Sequence, residues 1–305
     1  MPTKVLDASP SLAALYVKAA LAALPGAGVV PGVVPGVVPG VVPALRRPSS
    51  DRLPDTRLEI RDVTIDAHHL ARYREVCGWE RQAVPSTYLH VLAFPLHLSL
   101  MTAPGFPLAV MGAVHVENTI EQLRPIGLDE AFNLSVEATE LASHPRGRTV
   151  TITSEVTIGA QVVWRGASVF LSRGAGSGER TSATPALPEE APLGPMEWSL
   201  PAGLGRRYAA VSGDRNPIHL YSLTARPFGF KTQIAHGMWT KARALAALQP
   251  RLPQAYTVAV AFKKPVPLPS RVRFGARDGE GGLDFGVTSA RTQAPHLVGR
   301  LTTHG

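Results

Sequence analysis

Tyr208-Ala209-Ala210-Val211-Ser212-Gly213-Asp214-Arg215-Asn216-Pro217-Ile218-His219, followed by Gly229-Phe230-Lys231-Thr232-Gln233-Ile234-Ala235-His236-Gly237-Met238, is the stretch from which the fold of this 305-residue chain can be read. It has a counterpart in the first half. Tyr73-Arg74-Glu75-Val76-Cys77-Gly78-Trp79 matches Tyr208 to Asp214 at an offset of 135, and Val84-Pro85-Ser86-Thr87-Tyr88 matches Ile234 to Met238 at an offset of 150. The second copy therefore carries about fifteen extra residues between the two matches, and they contain the turn Asn216-Pro217-Ile218-His219. Self-similarity of this kind is the mark of an internal duplication.

Working outward, both copies show the same succession of patterns. In the first, Leu58 to Ile65 alternates like a half-buried strand, and Asp66 is placed to cap a short helix over 67–76. Ser86 to Met101 is apolar nearly all round, as a helix buried on most sides requires, with Pro95 predicting a kink. Four strand-like runs follow at about 112–122, 131–142, 148–158 and 161–172, punctuated by Gly127, Pro145-Arg146-Gly147 and Gly159. In the second copy a strand at 196–200, a helical turn at 204–211, a long helix from about 234 to 248 and strands near 256–264, 271–277, 283–290 and 296–303 repeat the order. A helix followed by a run of antiparallel strands makes an α+β unit with the sheet wrapped around the helix. The expected organisation is an N-terminal segment (1–55), a first unit (56–172), a Gly/Ser/Pro/Glu-rich linker (173–195) and a second unit (196–305).

The N-terminal segment reads as a helix over 11–24, capped by Ser11 and apolar along Leu12, Leu15, Tyr16, Ala19 and Ala20, followed by a Pro-Gly-Val-Val repeat at 31–43. No residue from Ala19 to Leu45 is charged, a length that could cross a membrane, but a proline at every fourth position removes helical hydrogen bonds throughout. A hydrated spacer of Pro-Gly turns is expected instead, with no membrane span. A basic n-region and small-residue cleavage site are missing, so the start is not read as a secretory signal.

Composition narrows the function. A 45 % hydrophobic fraction supports a packed core. The net charge of +8 serves solubility and also favours anionic partners. Its basic residues are scattered, which argues against nucleic acid and for a phosphate-bearing small molecule or an acidic carrier protein. The single cysteine, Cys77, rules out an intrachain disulfide and fits a reducing, cytoplasmic setting, and no zinc signature is present. Asp214 and His219, five residues apart on a Gly/Asn/Pro-bounded turn, can converge on one small volume, as general acid–base chemistry requires. The first copy has Trp79 in place of Asp214 and nothing in place of His219, so one working site per chain is expected, in the second copy. Ser212 lies in no nucleophile elbow and reads as a turn support.

The string from Tyr208 to His219 with Ile234-Ala235-His236-Gly237-Met238 closely resembles the hydratase 2 motif of MaoC-like (R)-specific enoyl-CoA hydratases and 3-hydroxyacyl-thioester dehydratases. The duplicated layout over about 56–304 resembles the double hot-dog members of that family, in particular the actinobacterial dehydratases. The resemblance implies a double hot-dog fold, its two sheets joined into one long antiparallel sheet around two helices, so that one chain equals the homodimer of shorter relatives. It implies reversible hydration of trans-2-enoyl thioesters to (R)-3-hydroxyacyl thioesters in fatty-acid metabolism, without metal or redox cofactor, with CoA or phosphopantetheine entering as part of the substrate. Asp214 and His219 become the catalytic pair holding one water, acid and base roles unassigned, and Gly237 supplies an oxyanion-binding N–H at a helix start. Ser212, Asn216 and His236 support the turn. Lys263, Lys264, Arg271 and Arg273 are candidates for the CoA phosphates by their charge alone, a solvated face being the alternative. The first unit, freed from catalysis, is expected to make room for a longer acyl chain. Carrier-protein thioesters, a homodimer in place of a monomer, a binding-only acyl-thioester partner and a thioesterase are the alternatives, the last unsupported by the motif.

Overall fold

The computed structural model describes residues 1–22, 50–80, 82–111, 113–174, 176, 187–279 and 281–304. The Pro-Gly-Val-Val repeat and residues 177–186 of the linker lie outside them. The first unit runs β2 (Arg57–Val63), α2 (Ala67–Cys77), α3 (Ser86–Met101), β3 (Val114–Gln122), β4 (Phe132–His144), β5 (Gly147–Ile158) and β6 (Gln161–Arg173), after an N-terminal β1 (Thr3–Leu6) and α1 (Leu12–Ala22). The second runs β7 (Met196–Leu200), α4 (Leu204–Ser212), α5 (Ser222–Ala225), α6 (Gly237–Ala247), β8 (Tyr256–Phe262), β9 (Ser270–Gly279), β10 (Gly282–Ser289) and β11 (Pro295–Thr303).

The duplication is visible in the sheet. Its order is β1-β2-β4-β5-β6-β3-β8-β11-β10-β9-β7, so outward from the β3–β8 seam each unit lays down its strands in the same sequence. The seam is antiparallel, pairing Glu117 with Ala261 and Gln122 with Tyr256. α2 and α4 end alike, on Gly78 and Gly213, both at φ 72°, a left-handed conformation that costs glycine nothing. Asp66 caps α2 as its sequence implies, accepting from the amides of His68 and His69. The aligned tyrosines Tyr73 and Tyr208 meet across the junction, ring centroids 6.3 Å apart.

α3 is buried on every side except at Leu92 and Ser99, which is why its sequence shows no polar face, and it continues through Pro95. The larger hydrophobic core spans both units, from Leu134 and Trp164 to Leu245, Val258 and Phe285, and a smaller cluster of Ile218, Ala225, Phe230 and Ile234 lies within the inserted segment and its flank. Burial of this kind, at about 25 cal/mol per Å² of apolar surface, is the principal force closing the sheet on its helices. Lys241 of α6 is fully buried behind the seam, where its Nζ donates to Asn118 Oδ1 (2.5 Å), Asn118 O (3.1 Å) and Val258 O (3.0 Å). Burial pulls its pKa well below the usual lysine value, and the three acceptors around it let one helix grip the strands of both units.

Three expectations are corrected. The sheet is not wholly antiparallel: β1 of the N-terminal segment adds to it in parallel beside β2, making it mixed, while the helix expected over 11–24 forms as α1 and packs on α3 and the end of α4. The long helix of the second unit starts at Gly237, because residues 234–236 are extended and Ile234 bridges Pro267. The end of the linker is packed against the sheet: a Cβ at Gly275 would lie 2.4 Å from Leu193 C, and one at Gly286 2.6 Å from Ala191 Cβ.

Candidate active site

The inserted turn is built by short-range hydrogen bonds that its own sequence provides. Ser212 Oγ accepts from the Asp214 amide (3.2 Å), Asp214 Oδ1 from the Asn216 amide (3.1 Å), and Asn216 Oδ1 from Ile218 N (3.4 Å), capping a 3-10 turn over Pro217–His219. These side-chain acceptors replace the backbone partners a tight turn cannot supply. The other unit helps, since Asn216 Nδ2 donates to Ala113 O at 3.4 Å. α4 presses on the turn from behind, where Gly205 leaves no room for a side chain: a Cβ there would sit 2.0 Å from His219 O.

His219 Nδ1 lies 2.8 Å from the Ile234 carbonyl. A carbonyl can only accept, so Nδ1 carries the proton and Nε2 presents a bare lone pair. His236 stacks on His219 with centroids 3.7 Å apart and planes at 25°, and its Nε2 donates to the Asp214 carbonyl oxygen at 2.9 Å. Asp214 Oδ2 stands 3.8 Å from the same nitrogen. Burial holds the imidazoles neutral: it lowers His219 despite the opposing pull of Asp214, and pushes His236 down to about 3. For Asp214, burial acts upward, but the two neighbouring histidines and the hydrogen bonds from Asn216 and Tyr16 outweigh it, leaving the carboxyl below its ordinary value. Its side chain keeps 27 % of its surface, facing a cavity that it lines.

Asp214, His219 and His236 each offer a donor atom within 4.8 Å of the others, a grouping that could hold a cation. Two of the three are stacked imidazoles, however, whose in-plane lone pairs run side by side and do not converge as a metal needs. One water with two hydrogen bonds of about 2.8 Å spans such a gap.

The cavity, about 300 Å³, runs between the units. Gly237 opens α6 on its wall, and a helix start presents N–H groups with no intrahelical partner. The Phe262 ring would touch a Cβ at Gly237 at 3.1 Å, so the bare glycine keeps that N–H approachable. α3 of the first unit contributes Val91, Phe94, Leu98 and Met101. Lys263 and Lys264 line the cavity, together with Arg146 and Arg173 from the first unit. Arg271 and Arg273 do not: they point to the outer face of β9 and pair with Glu197 on β7 (3.2 and 3.3 Å). The first unit lacks the apparatus. Thr87 stands at the position of Gly237 and accepts from the Tyr73 hydroxyl at 2.8 Å, and Trp79 replaces the aspartate within the core.

Three residues at this site were not singled out by their sequence. Arg146 and Arg173 sit at a hairpin and a strand end with no motif around them. Tyr16 read as part of an apolar helix stripe, yet its hydroxyl reaches Asp214 Oδ1 at 2.9 Å, 198 residues away in the chain.

Comparison with known proteins gives the family of this chain. Residues 188–291 match the MaoC-like domain family. The chain is 39 % identical over 254 residues, 82 % of this chain and 90 % of the relative, to 3-hydroxyacyl-thioester dehydratase X of Mycobacterium tuberculosis. Over 63 residues, 19 % of this chain and 40 % of the relative, it is 41 % identical to 3-hydroxybutyryl-CoA dehydratase of Methylorubrum extorquens. The crystal structure of HtdX of Mycobacterium tuberculosis superimposes with a TM-score of 0.72 at 35 % identity, covering 81 % of this chain and all of that one. A MaoC-like dehydratase from Phytophthora capsici shares the fold, with a TM-score of 0.66 at 19 % identity over 85 % of this chain and 96 % of that one.

Proposed function

Because the chain belongs to the MaoC-like dehydratase family, we infer that it interconverts 3-hydroxyacyl and trans-2-enoyl thioesters in fatty-acid metabolism as a hydro-lyase. The observation that carries this reading is the pairing of an ionised Asp214 with a neutral His219, tautomerically fixed by Ile234 O, in one cavity with the start of α6. In the hydration direction a water held by Asp214 Oδ2 and His219 Nε2 gives up a proton to the pair as its oxygen bonds to C3. The electron pair of the double bond moves onto the thioester carbonyl, whose developing charge is met by the Gly237 N–H and the positive end of α6. The proton then goes to C2, and one water has been added. Dehydration is the reverse.

Asp214 and His219 act as one coupled unit, with His219 Nε2 the open acceptor in the resting state. The (R) configuration of the hydroxyacyl product belongs to the same proposal. The acyl chain is placed along α3, where the first unit offers apolar surface in place of chemistry. Lys263 and Lys264, joined by Arg146 and Arg173, are proposed to meet the phosphates of CoA or of a carrier-bound phosphopantetheine. The free, buried Cys77 supports a reducing, cytoplasmic setting, and among the described residues no helix is long and apolar enough to cross a membrane.

The test is hydration of crotonyl-CoA and of a longer enoyl-CoA. Asp214→Asn and His219→Gln should each lower kcat by about 10²–10⁴-fold, the range general acid–base groups contribute. A wild type inactive on both thioesters, or variants that match it, would overturn the reading.

A further inference from the structure

Tyr16 lies outside both repeated units, yet it is bonded to the reaction centre. It sits on α1, whose arm is fastened at one end by β1 against β2 and at the other by Leu12, which fills the space over Gly213 left by its missing side chain. A Cβ at Gly213 would come within 2.2 Å of Leu12 Cδ1, so the arm and the Asp214 turn are in direct contact. The Tyr16 oxygen accepts from the Arg215 amide at 2.8 Å. Its single proton is thereby directed at the remaining neighbour, Asp214 Oδ1, at 2.9 Å.

Counting partners on the carboxylate shows what this does. Oδ1 takes hydrogen bonds from both Tyr16 and the Asn216 amide, while among the described residues Oδ2 has only a 3.8 Å approach from His236. One oxygen is occupied and the other is left to the cavity. We propose that Tyr16 is a positioning residue for the reaction: by holding Asp214 Oδ1 it fixes the carboxylate plane, so that Oδ2 alone faces the cavity and keeps the water against His219. The N-terminal arm is then part of the active site, although it belongs to neither copy of the duplicated unit. This rests on the catalytic assignment of the Asp214–His219 pair.

The other groups facing Asp214 are His219 on the inserted turn, His236 ahead of α6, Tyr208 on α4, His115 on β3 and the adjoining Arg215. His236 and His219 act most strongly to hold the carboxyl low, followed by the Asn216 amide and the Tyr16 hydroxyl, whereas burial keeps His115 and Tyr208 uncharged. A hydrogen bond from a phenol stabilises the carboxylate over the acid. Without it, Asp214 must take up a proton at higher pH, and the acidic limb of the rate profile must move up with it.

Tyr16→Phe removes the hydroxyl and keeps the ring. Its kcat and KM for crotonyl-CoA are measured from pH 4.5 to 9 beside wild type and Asp214→Asn, with the melting temperature as a check on folding. A ¹³C-carboxyl titration of Asp214 in the free protein, identified by its loss in Asp214→Asn, needs no substrate. For one hydrogen bond to a charged group, kcat at neutral pH should fall about tenfold, with KM held within about twofold. The carboxyl titration and the acidic limb should both move up by about one pH unit. A lowered kcat with both unmoved would make Tyr16 a packing residue and overturn the proposal. An unchanged Tyr16→Phe beside an inactive Asp214→Asn would overturn it alone, leaving the catalytic pair standing. An Asp214→Asn as active as wild type would overturn both readings. If the thioesters are not turned over at all, the carboxyl titration still decides whether Tyr16 holds Asp214.

Discussion

Gly205→Ala puts two physical rules in opposition, and the structure says which prevails. Gly205 is the second residue of α4, and glycine within a helix is destabilising by about 0.5–1 kcal/mol relative to alanine. By propensity alone the substitution stabilises. In this fold, however, the added Cβ would lie 2.0 Å from the His219 carbonyl oxygen and 3.1 Å from its carbon. A carbon–oxygen contact settles at about 3.3 Å, so helix and turn must separate by about 1.3 Å. Both partners are backbone, and no side chain can rotate out of the way. Overpacking of this kind costs about 1–3 kcal/mol and outweighs the helical gain. The larger consequence is chemical. The displaced carbonyl belongs to His219 itself, and a misplacement of about 1 Å in a catalytic group can cost about 10²-fold. The variant should therefore melt below wild type and hydrate crotonyl-CoA about a hundred times more slowly, with KM little altered because the lysines and α3 are untouched. Calorimetry and initial rates on one preparation read both quantities. A raised melting temperature with wild-type kcat would refute the contact argument and leave helix propensity as the whole account.

Stability should fall on acidification well before carboxylates titrate. Burial pushes His97, His115 and His236 down to about 3, below the unfolded value near 6.5, so between these limits the unfolded chain binds more protons and stability rises with pH. Their joint contribution is fully present above about pH 6.5 and is lost below it at up to about 4 kcal/mol per pH unit; a melting temperature that stays flat from pH 7 to 5 would contradict this. Lys263→Glu with Lys264→Glu should raise KM for CoA thioesters about tenfold and weaken as salt is added, each screened charge contributing about 0.5–1 kcal/mol. Arg271→Ala with Arg273→Ala should leave KM within about twofold, since both already serve Glu197 on the outer face; equal effects from the two pairs would undo that distinction.

Short-range pattern makes most of this chain legible in its amino-acid sequence, although it sets the start of the second unit's long helix a few residues early. The two matched copies around Tyr73 and Tyr208, the buried helix over Ser86–Met101, the eight main strands of the two sheets and the turn that joins Asp214 to His219 are all local. Hydrophobic period, glycine punctuation and side-chain caps act within about ten residues, so a linear reading reaches them. Ser212, Asn216 and His236 belong to the same class. Each makes a bond that the motif brings within reach, to a neighbour on the turn or to the Asp214 carbonyl.

The tertiary structure alone decided what depends on separation across the sheet. Lys263 and Arg271 look alike along the chain, but the pleat and curl of β8 and β9 send one to the cavity and the other to the outer face. Arg146 and Arg173 reach that cavity from the first unit because β3 and β8 join the strands of the two units at a seam. Tyr16 shows the limit most clearly. On α1 its aromatic ring fits an apolar stripe, and only the docking of a parallel edge strand brings its hydroxyl to Asp214. A hydrogen bond between residues 198 positions apart leaves no periodicity in the sequence. It exists because the folded sheet closes that distance, and the turn from Tyr208 to His219 gains its carboxylate orientation from a residue that no local pattern marks.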